Sequence, residues 1–214
     1  MQYANGMQSR EQIFQAAKKL MHQNGYKKTT YSMIAAKADV PVGLVNYHFK
    51  KLELLERIYR DYFAEIDNLI EEQEVQPGNE MQHHILFSRI MLTQIFAETG
   101  ARKFHLEINY NNLIPLSIHD FIRSRQIAII ESTDIKMTSQ YYYWCATAEY
   151  GARRELIELN GNIAVDSPEF LSLCDLLSTI TLRIAGLDPE QVDGNLRAAN
   201  SLYECIDSTG VRMF

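Results

Sequence analysis

Residues 9–59 carry a pattern of three short helices joined by tight turns. A capping-box spacing opens at Ser9, and apolar residues at helical spacing follow over 13–21. Gly25 suits the left-handed position that commonly follows the last residue of a helix. The sequence therefore predicts a first helix that begins at Ser9 and ends before Gly25.

A second helix is predicted after Thr30, whose hydroxyl is placed to cap it. Its apolar side chains, Met33 and Ile34, are expected to be buried. Ala35 and Ala36 are small, so they allow a close approach to a neighbouring helix. These are the requirements of the first half of a helix-turn-helix.

Asp39 lies at the centre of the next turn, because Asp adopts the left-handed conformation more readily than most residues other than glycine. Pro41 fits at or beside the first position of a third helix, where a missing N–H costs nothing. Val40, Val45 and Phe49 are spaced to enter the core. The opposite face would be exposed and would enter the major groove of DNA. It consists of Val42, Gly43, Leu44, Asn46, Tyr47 and His48.

The charge distribution favours the same partner. Residues 1–60 hold ten Lys/Arg and four Asp/Glu, for a net charge of +6, whereas the remainder holds 11 basic and 23 acidic residues, for a net charge of −12. Phosphate contacts dominate the affinity of proteins for DNA, so a basic N-terminal part is what a DNA-binding protein needs.

The rest of the chain also predicts helices, so the fold class is all-α. An apolar stripe predicts a long helix over 52–74, which Pro77 and Gly78 separate from the next one. Further helices are predicted over 80–98, 101–111, 115–131, 137–160, 166–186 and 189–207. We expect a flexible tail at 1–8, a helix-turn-helix domain at 9–51, and a larger helical domain at 52–214.

Several protein classes are disfavoured by the composition. The three cysteines, Cys145, Cys174 and Cys205, are far apart, which predicts reduced thiols in the cytoplasm and neither disulfides nor a zinc site. No membrane-spanning run or signal sequence is expected. The adjacent His83 and His84 point about 100° apart on a helix and make a poor metal pair. No catalytic motif was found, so we expect no enzyme activity, metal or cofactor.

Residues 10–59 resemble the DNA-binding domain of the TetR family of transcriptional regulators. The shared pattern comprises Arg10, Ile13, Ala17, Leu20, Asn24-Gly25-Tyr26, Thr29-Thr30, Ile34-Ala35, Ala38, Val40, Gly43, Asn46-Tyr47-His48-Phe49 and Leu54-Leu55. The chain departs from it at three places. Asp39 replaces a usual Gly, Pro41 an often-seen capping Ser, and Leu52 the lysine that usually binds phosphate. We expect Lys50 or Lys51 to take over that contact.

The resemblance implies which residues contact DNA. Thr30, Tyr47 and Lys51 would bind phosphates, Gly43 would allow a close approach, and Asn46 would read adenine. Val42 and Leu44 would touch thymine methyls or sugars. His48 is open, because packing beside Phe49 is an alternative to a DNA contact. The full expected set is Thr30, Tyr31, Pro41, Val42, Gly43, Leu44, Asn46, Tyr47, His48, Lys50 and Lys51.

The larger domain would, by the same resemblance, form a homodimer and enclose a small-molecule effector. The apolar faces of the last two helices are expected to make the dimer. They are Phe170, Leu173, Cys174, Leu177, Ile180, Thr181 and Ile184 in one helix, and Leu196, Ala199, Leu202, Tyr203 and Ile206 in the other. Candidate effector contacts are His105, Tyr110, Arg123, Tyr142, Trp144 and Glu149.

The leading hypothesis is a dimeric regulator, a repressor that a small-molecule effector releases from a palindromic DNA operator by tilting the helix at 52–74. Two alternatives belong to other classes. One is a small-molecule carrier or enzyme whose DNA-binding part no longer functions. The other is an interaction module whose aromatic pocket binds a protein helix.

Overall fold

The computed structural model describes residues 2–73 and 76–214, with side chains from residue 6 onward. This part of the chain forms ten α-helices and no β-strand, which confirms the predicted fold class. The helices are α1 (Gln2–Asn24), α2 (Tyr31–Ala38), α3 (Val42–His48), α4 (Lys51–Glu72), α5 (Glu80–Ala97), α6 (Thr99–Tyr110), α7 (Leu116–Glu131), α8 (Ser139–Leu159), α9 (Pro168–Ile184) and α10 (Pro189–Glu204).

Helices α1 to α3 pack together and form what we call the head. Each of the three helices contributes almost fully buried side chains. They are Ile13 and Phe14 of α1, Ile34 of α2, Val45 of α3, and Phe49 directly after α3. The apolar spacing had predicted each of them as a core residue or part of an apolar face. These residues are the head's part of one hydrophobic cluster that continues through α4 into the rest of the chain.

Two predictions about the head are wrong in detail. Ser9 lies inside α1 and does not cap it, because the helix already begins at Gln2 and takes in most of the expected tail. Extending a formed helix adds one hydrogen bond per residue, and a single glycine in 2–8 does not stop it. In α2, Met33 and Ala36 are exposed, whereas Ala35 alone is the small buried contact. An eight-residue helix can bury only one narrow face.

Helix α4 connects the head to the larger domain, which we call the body. Its N-terminus is fixed by the backbone N–H of Lys50, which donates to the Glu53 carboxylate at 2.8 Å. Leu52 was expected in the apolar stripe but is 46% exposed, and Leu54 is buried in its place. The helix ends at Glu72, and the predicted end at Glu74 lies outside the described residues.

Helix α5 forms the centre of the body. It is apolar around most of its circumference, and α4, α6, α7, α9 and α10 all pack against it. The predicted bounds of α5 to α10 agree with the observed ones to within about three residues. No described helix is long and apolar enough to cross a membrane.

The segment after α10 connects the body to the head. Val211 and Met213 are buried, and the ring of Phe214 stacks on His22 of α1 with centroids 5.0 Å apart. Phe214 also meets the edge of Phe104 of α6, again at 5.0 Å between centroids. The end of the chain thus lies at the junction of α1 and α6.

Candidate DNA-binding surface and effector cavity

The outer face of α3 is the exposed surface that the sequence predicts. Val45 anchors the helix inside the head, whereas Val42 and Tyr47 are 41% and 82% exposed. Asn46 is exposed too, and its amide N–H donates to the Val42 carbonyl at 3.3 Å. Leu44 is only half-exposed because it packs partly against the core. The surface therefore offers one amide and a phenol beside a few apolar groups.

The turn between α2 and α3 is built as predicted. Asp39 has φ 53° and ψ 49°, in the left-handed region, and the N–H of Val40 donates to the Ala35 carbonyl at 3.0 Å. Pro41, at φ −60°, is the N-cap of α3, one position before the first helical residue. Asp39 therefore adopts the left-handed conformation that the sequence predicts for this turn.

The N-terminus of α2 is exposed beside α3. The Thr30 hydroxyl caps the helix by accepting the N–H of Met33 at 3.2 Å. Thr30 is exposed and Tyr31 half-buried. A helix N-terminus of this kind attracts anions through its free N–H groups and its dipole.

The head's own packing does not require glycine at position 43. A Cβ on Gly43 would have no heavy atom within 4 Å, and its φ is not in the positive range. The missing side chain therefore leaves room on the outer surface of α3, where a binding partner could approach the backbone closely.

The two candidate lysines differ in their freedom. Lys50 is exposed, whereas the Lys51 ammonium lies 4.5 Å from the centre of the Tyr26 ring and 3.4 Å from the Lys27 carbonyl. Burial lowers the pKa of Lys51, and the Glu107 carboxylate partly opposes this. Lys51 therefore has to leave contacts within the protein to reach a phosphate, and Lys50 does not.

His48 is half-buried, and the edge of its ring meets Tyr47, with centroids 5.1 Å apart. This arrangement places His48 beside the exposed phenol of Tyr47. It is compatible both with packing inside the head and with a DNA contact.

Helix α6 holds the head through Glu107. Its carboxylate accepts the N–H groups of Tyr26 and Lys27, at 2.7 and 3.0 Å, in the turn between α1 and α2. Gly25 has φ +82°, and a Cβ there would collide with the Glu107 carboxylate. One turn-forming glycine therefore serves both the left-handed backbone and the close approach of α6.

A second contact joins the same elements. The His22 ring of α1 is bonded to the Glu98 carboxylate at 2.9 Å. Glu98 also caps α6 by accepting the N–H groups of Gly100 and Ala101. Burial raises the pKa of Glu98, but these N–H groups and His22 outweigh it, so the pKa lies below its ordinary value.

The body contains a cavity of about 280 Å³ between α4, α5, α6, α7 and α8. Most of its wall is apolar, with Phe63, Met91, Ile118, Ile122 and Ile157 among the lining residues. This volume is close to the lower end of the range of about 300–1,000 Å³ that is usual for small-molecule sites.

Three of the predicted effector residues line this cavity, namely His105, Arg123 and Glu149. Tyr142 is buried behind the wall, where its hydroxyl lies 3.2 Å from the Gln126 amide oxygen. Tyr110 and Trp144 do not line it and are 68% and 59% exposed. In the aromatic run of α8, consecutive residues point about 100° apart, so they cannot all face inward.

Sequence reasoning missed several polar residues of the cavity wall, two of which lie beside His105. Tyr59 and Asn109 line it, and the Tyr59 hydroxyl lies 2.9 Å from Nδ1 of His105. Asn109 follows His105 by four residues on α6, and this spacing was the available signal. Burial, with a smaller effect of Arg153, lowers the pKa of His105 to about 3, so the imidazole is neutral near pH 7.

The charged groups of the cavity are paired. Glu149 forms an ion pair with Arg153, and Arg123 contacts the Asp120 carboxylate at 3.3 Å. In the described part of the chain, no group of His, Cys, Asp or Glu side chains is arranged to hold a metal ion. The cavity is thus an apolar space with a neutral polar end.

Comparison with known proteins identifies the head. Residues 13–58 match the family model described as bacterial regulatory proteins, tetR family. The head is therefore similar to the DNA-binding domain of this family. The match covers the segment from α1 into α4, which contains the helix-turn-helix typical of DNA-binding transcriptional regulators.

Two solved structures are similar to this chain at low identity. One is a gamma-butyrolactone receptor, described as an ArpA-like protein, with 17% identity, a TM-score of 0.46, and coverage of 95% of this chain and 100% of that one. The other is the TetR family protein CprB from S. coelicolor A3(2), with 16% identity, a TM-score of 0.44, and coverage of 94% and 98%. No curated protein matches the sequence.

Proposed function

We propose that this protein is a homodimeric repressor that binds a palindromic operator through α3 and leaves it when a small molecule enters the body. The observation that carries the proposal is the double role of α6. It lines the cavity with His105 and Asn109, and it holds the turn before α2 with Glu107. One helix therefore lines the cavity and also holds the turn that precedes the helix-turn-helix.

The DNA contacts divide into two kinds. Thr30, Tyr47 and Lys50 are exposed around α3 and are proposed to bind phosphates, with Lys51 joining when it leaves Tyr26. Asn46 is proposed to read a base edge, since its amide can donate to and accept from adenine. Phosphate contacts set the position of the protein, and the base contact sets its sequence preference.

The proposed dimer surface lies on α8 and α9. The faces of α9 and α10 that the sequence nominated are largely covered within the monomer, because α5 packs against both helices. Uncovered apolar side chains remain on α8, with Tyr141 and Trp144, and on α9, with Leu176 and Ile184. Helices α8 and α9 pack against each other, and two-fold pairing with a second copy would bury these side chains.

The proposed switch starts at the cavity wall. A ligand beside His105 would displace α6, and Glu107 would transmit the displacement to the turn of Tyr26 and Lys27. Tyr59 would carry the same change into α4, because its hydroxyl is bonded to His105. The two heads of a dimer must present α3 at half-sites about 34–36 Å apart, so a small rotation of each head weakens binding.

The test is selection of binding sites from random duplex DNA with the purified protein at about 150 mM salt. The proposal predicts recovery of a palindrome whose half-sites are about one helical turn apart. Recovery of no enriched sequence, both before and after unfolding and refolding the protein to remove bound molecules, would contradict it.

A further inference from the structure

Two buried atoms at the polar end of the cavity have no hydrogen-bond partner among the described residues. They are Nε2 of His105 and Oδ1 of Asn109. Both residues line the cavity, and they are only 5% and 1% exposed. Native proteins rarely leave buried polar atoms unpaired, because each one loses its bonds to water without a replacement. Because both lie on lining residues, these two atoms are candidate hydrogen-bond partners for a ligand of the cavity.

The hydrogen bond from Tyr59 determines which role His105 plays. Burial raises the pKa of Tyr59 far above its ordinary value, so its hydroxyl keeps its proton. When this hydroxyl donates to Nδ1, across 2.9 Å, the imidazole proton resides on Nε2. The opposite tautomer would leave the Tyr59 proton unpaired as well. His105 thus carries an unpaired N–H donor within the cavity wall.

Asn109 presents an acceptor beside it. Its amide nitrogen donates to the His105 carbonyl at 2.8 Å, and a carbonyl can only accept. This bond fixes the orientation of the amide and leaves Oδ1 as the unpaired atom. The cavity wall therefore holds one unpaired neutral donor and one unpaired neutral acceptor, on residues one helical turn apart.

The charged side chains of the cavity are already engaged. Arg153 is paired with Glu149 and also donates to the Leu177 carbonyl, and Arg123 is paired with Asp120. An ionised ligand would lose its hydration without gaining a free opposite charge among the described lining residues, which is unfavourable.

We propose that the effector is a small, uncharged, mainly apolar molecule with an alcohol or primary amide group, which accepts the N–H of His105 and donates to Oδ1 of Asn109. This inference rests on the proposed function, in which the cavity is the effector site. The apolar body of the ligand would lie against Phe63, Met91 and Ile122.

Two pairs of probes test the inference by calorimetric or NMR titration. 2-Phenylethanol and propylbenzene have the same number of non-hydrogen atoms, as do phenylacetamide and phenylacetate. We expect phenylacetamide to bind at least about tenfold more tightly than phenylacetate, because only the acid is charged. Equal binding of this pair, or no binding of either the alcohol or the amide, would overturn the inference.

The residue assignment is tested with Asn109→Leu. It should weaken binding of 2-phenylethanol by about tenfold and leave that of propylbenzene unchanged or tighter, because the alcohol loses its acceptor. Comparing the same probes across variants cancels their different hydrophobicity. The matched control is Asn160→Leu, since Asn160 donates to the Leu156 carbonyl at 2.8 Å in the same way but lies outside the cavity. It should change neither probe.

A second variant, His105→Phe, guards against a folding defect in Asn109→Leu. It should also weaken the binding of 2-phenylethanol. If Asn109→Leu affects both probes equally, the two atoms are bridged by water and the inference is wrong. Release of operator DNA is measured separately with saturating 2-phenylethanol. If the probes bind in the expected pattern but DNA stays bound, the effector role fails and the assigned ligand chemistry stands.

Discussion

Replacing Glu107 with alanine removes two of the hydrogen bonds by which α6 holds the head. The carboxylate accepts two backbone N–H groups, from the part-buried Tyr26 and the exposed Lys27. A hydrogen bond to a charged group contributes about 1.5–3 kcal/mol, and the exposure of one bond puts the pair at about 2–3 kcal/mol together. We therefore expect the turn to open about 30- to 150-fold more often in Glu107→Ala.

Hydrogen exchange reports this opening directly at the two amides. In Glu107→Ala, the exchange of the Tyr26 and Lys27 amides should accelerate by the stated factor, whereas the core of α5 should be unaffected. Glu107→Gln keeps one neutral acceptor, so its amide exchange rates should lie between those of the wild type and Glu107→Ala. Glu158→Ala, an exposed glutamate of α8, is the matched control and should leave both amides unchanged. Exchange of these amides within twofold of the wild type in Glu107→Ala would refute the reasoning.

Three further predictions follow from other parts of the molecule. Gly43→Ala should raise the free energy of unfolding by up to about 1 kcal/mol, because a Cβ at this position contacts no other atom of the protein. The same variant should weaken operator binding in a fluorescence anisotropy titration. Unchanged binding would show that α3 does not approach DNA closely. Leu176→Glu should convert the dimer into monomers in sedimentation, because it places charge in the proposed interface, and a persisting dimer would place the interface elsewhere. Burial lowers the pKa of His84 and His105 to about 3, so only the unfolded chain takes up their protons below about pH 6.5. Each histidine should therefore reduce the free energy of unfolding by about 1.4 kcal/mol per pH unit as pH falls. Urea unfolding should show a loss of about 2–3 kcal/mol between pH 6 and pH 5, and His105→Gln should roughly halve this loss.

The sequence predicts the head well because its signals are local. The Thr30 cap, the left-handed Asp39 and the burial of Val45 each depend on a few neighbouring residues. Helix ends in the body are predicted equally well for the same reason. Ser167 and Asp188 both cap the helices that follow them.

What packs against each apolar face cannot be predicted from the neighbouring residues of the sequence. The stripes of α9 and α10 look the same whether they meet α5 of the same chain or a second copy, and the structure shows that α5 covers much of both. Likewise, Trp144 and Tyr142 are equally apolar in sequence, but only Tyr142 faces inward. Asn109 carries no signal without its neighbour, since its importance comes from the unpaired oxygen that burial creates.

The claim that two α3 helices of one dimer read one operator is tested most directly by changing the distance between half-sites. Affinity is measured by fluorescence anisotropy for the selected palindrome, for a single half-site, and for a palindrome with five base pairs inserted at its centre. The insertion turns the half-sites to opposite sides of the DNA, since one turn is about 10–10.5 base pairs. We predict that both altered duplexes bind at least about 100-fold more weakly than the palindrome. Equal affinity for all three would contradict the account.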